Sequence, residues 1–73
     1  MMKFIAWVEY SGMMFCVSKT EDGFVCEKYI GGSKVHQAIK EVDSTEELER
    51  FLLSIPNAPQ KYIHDLIERL KDS

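Results

Sequence analysis

Three observations predict an α+β domain: an antiparallel meander of three or four strands, then two C-terminal helices, in the order ββββαα. Phe4, Ala6, Val8 and Tyr10 recur at alternate positions, the period of a strand. Two turn signatures, Ser11-Gly12 and Thr20-Glu21-Asp22-Gly23, separate short apolar runs where tight hairpins are expected. Beyond residue 44 the apolar spacing changes to that of amphipathic helices. Strands first and helices last argue for a layer pair, not a parallel sheet.

Ser11-Gly12 suits a two-residue turn that places Tyr10 opposite Met13. The register then pairs Val8 with Phe15, Trp7 with Cys16 and Ala6 with Val17, so apolar alternates of both strands share one face. Thr20-Glu21-Asp22-Gly23 reads as a type I turn closed by Gly23 in a G1 bulge. Pairing Thr20 with Phe24 then sets Phe15 opposite Tyr29 and Lys19 opposite Val25. The first sheet face so defined collects Phe4, Ala6, Val8, Tyr10, Met13, Phe15, Val17, Val25 and Tyr29, with Glu27 as its misfit. The second collects Ile5, Trp7, Met14, Cys16, Phe24, Cys26 and Ile30, mixed with Lys3, Glu9, Ser18 and Lys28.

Gly31-Gly32-Ser33 marks another break. Val35, Ala38, Ile39 and Val42 fall at helical spacing, but a double-Gly turn followed by a β-branched segment favours a fourth strand over residues 34–42. Ser44-Thr45-Glu46-Glu47 is a capping box, in which the Ser44 hydroxyl and the Glu47 carboxylate satisfy two orphan amides reciprocally. Leu48, Phe51, Leu52 and Ile55 form the apolar stripe of this helix, and Pro56 stops it near Ser54. Asn57-Ala58-Pro59-Gln60 opens the second helix, whose apolar face is Tyr62, Ile63, Leu66, Ile67 and Leu70.

The chain has 73 residues, 45% of them apolar, which suits one small domain over 1–73 and argues against disorder. Its net charge of −3 divides into +1 over residues 1–40 and −4 over residues 41–73. No Lys/Arg cluster provides a phosphate-backbone footprint. The apolar opening Met1–Val8 ends at Glu9, shorter than the apolar region of a secretory signal and far short of a membrane span. A cytoplasmic setting is expected, in which Cys16 and Cys26 are thiols.

The predicted register makes those cysteines diagonal neighbours on the second face, too far apart for an unstrained disulfide. They read as two small hydrophobes. A zinc site would need His36 or His64 as well, and no C-x-x-C or H-x-x-H spacing occurs, so no metal or other cofactor is expected. His64 with Glu68 is an i, i+4 pair, which a solvated helix face produces as readily as an acid–base couple. Gly31-Gly32 lacks the Lys of a phosphate loop. Five carboxylates, at Glu41, Asp43, Glu46, Glu47 and Glu49, read as a helix N-terminus with its favoured charges and a wet face, or alternatively as a mimic of a nucleic-acid backbone or a surface for a basic partner.

The functional expectation rests on surplus apolar surface. If both helices cover the first face, the second is left as a patch centred on Trp7, with Ile5, Met14, Cys16, Cys26 and Ile30 as interface candidates. If one helix covers each face, Trp7 is core. The first case implies a small protein-binding module (an inhibitor, adaptor or antitoxin-like partner) or a homodimer. A second reading is nucleic-acid binding by the sheet through Trp7, Phe24 and Lys3 or Lys28, against which the acidic balance weighs. An enzyme using His64 or Cys16 is the remotest reading.

Glu21-Asp22-Gly23 before a strand and Thr45-Glu46-Glu47 at a helix start, within this meander-then-helix layout, resemble two known arrangements. These are the AP2/integrase-type DNA-binding domain and the HicB-type antitoxin. The chain lacks the basic strands of the first and the Pro-x-Leu-Pro-Gly segment of the second, and the resemblance assigns no functional residue.

Overall fold

The computed structural model describes residues 2–10, 12–36 and 39–72. An antiparallel sheet runs β1 (Lys3–Tyr10), β2 (Met13–Lys19), β3 (Phe24–Ile30), β4 (Ser33–Lys34) and β5 (Lys40–Val42), followed by α1 (Thr45–Leu53) and α2 (Gln60–Lys71). Spatial order is β1-β2-β3, with β4 and β5 both pairing the far side of β3. The expected α+β meander with two C-terminal helices is therefore the fold.

The first hairpin has the expected register, with Tyr10 opposite Met13, Val8 opposite Phe15 and Trp7 opposite Cys16. The turn itself includes Ser11, which lies outside the described residues. Further along, a register shift between Phe4 and Ala6 inserts Ile5 as an extra residue, so that Phe4 pairs with Ser18. A bulge of this kind reverses the facing of everything beyond it. Phe4, expected on the first face, lies instead on the second. Ile5, expected on the second face, is half-buried against the core.

The second hairpin differs from the expected register by one residue. Lys19 pairs with Phe24 and Val17 with Cys26 around a four-residue loop, closed by Thr20 N–H donating to the Gly23 carbonyl at 2.8 Å. The Gly23 amide in turn donates to Thr20 Oγ1 at 3.1 Å. Gly23 does not take the left-handed conformation that a G1 bulge needs. The one-residue slip exchanges the faces of β3. Phe24 and Cys26 turn inward and are 6% and 0% exposed, while Val25, Glu27 and Tyr29 turn outward.

Gly31-Gly32 forms the expected third hairpin, both residues having the positive φ (58° and 86°) that a two-residue turn between Ile30 and Ser33 demands. The fourth strand is interrupted. Ser33–Lys34 pairs the end of β3, and Lys40–Val42 pairs its beginning, opposite Cys26, Val25 and Phe24. Of the intervening segment, Gln37 and Ala38 lie outside the described residues.

Ser44 caps α1, its hydroxyl accepting from the Glu47 amide at 3.2 Å. The reciprocal bond goes one residue further back than expected, because Glu47 Oε2 accepts from the Asp43 amide at 3.3 Å. Pro56 follows the helix end at Ser54, and α2 begins after Pro59. Both helices lie on one sheet face. Leu48 and Leu52 of α1 with Ile63, Leu66 and Ile67 of α2 bury Val8, Tyr10, Phe15, Val17, Phe24, Cys26 and Val42. A core of this size is the main source of stability for a chain of 73 residues.

Candidate functional site: the outer sheet face

Because both helices pack on the inner face, strand alternation leaves the opposite face without a covering layer. Three rows cross it. Glu9, Met14, Tyr29 and Lys34 form the first, Trp7, Cys16 and Glu27 the second, and Phe4, Ser18, Val25 and Glu41 the third. Trp7 is 41% exposed and Phe4 53% exposed, although both are large apolar groups. The indole sits between two other rings, with the Phe4 centroid at 6.0 Å and the Tyr29 centroid at 5.2 Å in an edge-on arrangement. Such contacts hold a ring in place while leaving its far surface open.

Of the interface candidates expected from sequence, Trp7, Met14 and Cys16 come together on this face. Three do not. Ile5 is turned inward by the bulge, and Cys26 is fully buried in the core by the register slip. Ile30 pairs with Met13 on the helix-bearing side, 48% exposed at the sheet end. Phe4 and Tyr29 belong to the patch but were expected on the other face. The sequence carries a signal for this: the awkward Glu27 among core residues disappears once β3 shifts by one, because Glu27 then faces outward and accepts from Lys34 Nζ at 3.1 Å. That contact holds the Lys34 ammonium above its ordinary value, chiefly through the hydrogen bond.

Between Trp7, Tyr29 and Met14 the face dips into an open depression of about 460 Å³, with Glu9 at its margin and the two glycine turns at its end. A second depression shares Trp7, Glu9 and Met14 and is bordered by Pro59 and Tyr62 of α2. Tyr62 reaches over the sheet margin, its hydroxyl donating to the Trp7 carbonyl at 2.9 Å. The tryptophan backbone is thus fixed by the second helix, and its side chain by neighbouring rings.

The remaining sequence candidates have local partners. His64 contacts Glu49 of α1, Nδ1 to Oε2 at 2.8 Å, and so ties the two helices together instead of meeting Glu68. Glu46 has its carboxyl held below the usual range, first by a backbone N–H at the helix start. Cys16 and Cys26 lie on opposite faces, not as diagonal neighbours, and both are free. Among the described residues no group of three or more His, Cys, Asp or Glu is placed to hold a metal, and no helix is long and apolar enough to cross a membrane. The residues expected to serve a nucleic acid are not on one surface: Phe24 is buried in the core, and Lys3 and Lys28 pair with Lys19 and Phe15 on the inner side, away from Trp7.

Comparison of the chain with protein-family models, with curated proteins and with solved structures gives no match.

Proposed function

We propose that the chain is a small protein-binding module whose docking surface is the outer sheet face, acting by holding a partner, as an inhibitor or adaptor does, and not by transforming a substrate. The observation that carries this reading is the aromatic set Phe4, Trp7 and Tyr29, left on a sheet face that neither helix covers. Contiguous exposed apolar area of this kind marks interfaces on small soluble domains, and Trp and Tyr are the residues that dominate binding energy within them. The molecule is a slab 32 by 28 Å across and 16 Å thick. One broad face is of the size a standard interface takes from each partner, about 800 Å². A reducing, cytoplasmic setting suits the two thiols, which face opposite sides of the sheet.

The test compares wild type with Trp7→Glu, a change at an exposed position. The proteins retained by each immobilised chain are identified, and the partner is then reconstituted from purified components. A purified partner that binds wild type and loses at least tenfold in affinity for the variant supports the reading. Equal binding to both chains, with both folded by circular dichroism, would sink it. Sedimentation equilibrium of the isolated chain separates partner binding from pairing of two copies through the same face.

A further inference from the structure

We infer that the partner of this face is a basic protein, and that the depression between Trp7, Tyr29 and Glu9 receives one of its arginine side chains. The inference rests on the proposal that the outer face binds protein, and it adds the chemistry of what binds.

Charge selects the occupant. The strand residues of the outer face carry three carboxylates, Glu9, Glu27 and Glu41, against one ammonium, Lys34. Lys3, Lys19 and Lys28 belong to the other side. Lys34 is already engaged by Glu27. Glu9 is exposed and enters no ion pair among the described residues. A second copy of the chain placed face to face would bring equal surpluses of negative charge together, and a polyanion would meet the same repulsion. A cationic surface is attracted.

The shape of the depression suits a guanidinium in particular. Trp7 and Tyr29, in edge-on contact with each other, line it with aromatic surface, Met14 adds apolar surface, and Glu9 supplies a carboxylate two residues along the strand from the indole. An arginine head is planar, stacks on aromatic rings and meets a carboxylate with two parallel N–H donors, whereas its aliphatic stem suits the thioether. Gly12, Gly31 and Gly32 line the end of the depression, and among the described residues a β-carbon on any of them would meet nothing within 4 Å. A side chain from outside can therefore enter along the strand direction.

The experiment is an NMR titration of the ¹⁵N-labelled chain with blocked arginine amide, blocked lysine amide and blocked citrulline amide, the last a neutral isostere of arginine. Arginine is expected to move the Trp7 indole N–H and the Gly12, Gly31 and Gly32 amides, with a dissociation constant in the millimolar range. Lysine is expected to bind more weakly, and citrulline at least about fivefold more weakly. Glu9→Gln should cost arginine roughly two- to fivefold, and added salt should weaken it further. Trp7→Leu, its fold verified in the same spectra, should abolish the response. Equal affinity for arginine and citrulline would overturn the cationic specificity while leaving an apolar docking face. Absence of any arginine response at these residues would overturn it as well. Binding of a thymidine oligonucleotide to the face would overturn it in favour of nucleic acid. The protein-binding reading falls separately, by equal partner affinity of wild type and Trp7→Glu.

Discussion

Gly23 lies directly beneath the carbonyl oxygen of Val42, so close that a β-carbon on it would collide with that oxygen and approach the Asp43 Cα to 3.0 Å. Both neighbours are backbone atoms, and neither can rotate away. Gly23→Ala should therefore displace β5 and lower stability by more than about 2 kcal/mol. Gly12→Ala meets open space but keeps a φ of 78°, and should cost only about 1 kcal/mol. Urea denaturation of the two variants checks the ranking, and a larger loss for Gly12→Ala would contradict it.

The hydrogen bond from Tyr62 to the Trp7 carbonyl is partly exposed to water, since Tyr62 is 40% accessible. Tyr62→Phe removes it and keeps the ring. A loss of about 0.5 kcal/mol is expected, the lower end for such bonds, because water can replace the hydroxyl. Denaturation monitored by the fluorescence of the lone tryptophan measures it directly.

The two thiols should behave differently. Cys16 is half-buried on the outer face, whereas Cys26 is fully buried and its thiol is pushed up to about 12, first by burial and second by nearby Cys16. A thiol reagent near neutral pH should modify Cys16 and reach Cys26 only on unfolding, as mass spectrometry would reveal. The unfolded Cys26 thiol ionises from about pH 9 while the folded one stays neutral. The stability present below pH 9 is therefore lost as pH rises toward 12. Against a Cys26→Ala reference, the wild-type advantage in unfolding free energy should shrink across that interval.

Trp7→Glu and Leu48→Ala should separate surface from core. Leu48 is 0% exposed between helix and sheet, and its truncation should cost about 2–5 kcal/mol. Trp7→Glu loses ring contacts on an open face and should cost less than about 2 kcal/mol. Thermal unfolding that ranks them the other way would place the indole among the residues that hold the fold together.

Local signals in the sequence were sufficient wherever the structure is decided locally. The Tyr10–Met13 register, the Gly31-Gly32 hairpin, the Ser44 cap, the Pro56 stop and the burial of Ile63, Leu66 and Ile67 on α2 follow from neighbouring residues, whereas Tyr62, expected on the same face, is exposed at the sheet margin. The register of β3 does not. It depends on Gly23 accommodating a strand that arrives from residues 40–42, so its glycine serves a distant contact instead of a left-handed turn. The bulge at Ile5 is similarly silent, because Phe4, Ile5 and Ala6 are all apolar and either facing satisfies the pattern. Half of the candidate patch was legible for this reason: Trp7, Met14 and Cys16 lie on strands whose pairing is local, and Tyr29 and Cys26 lie on the strand that slipped.

The divided fourth strand has a consequence for behaviour at high concentration. On one margin the sheet ends in ladders only two and three residues long, in β4 and β5. On the other, β1 is kinked at Ile5, and Tyr62 occupies a carbonyl that an incoming chain would need. Neither margin offers a long, straight template on which further copies could stack through their backbones. A protein that leaves Phe4 and Trp7 open to solvent can thereby remain free of fibrils, its adhesiveness confined to side chains on the flat of the sheet.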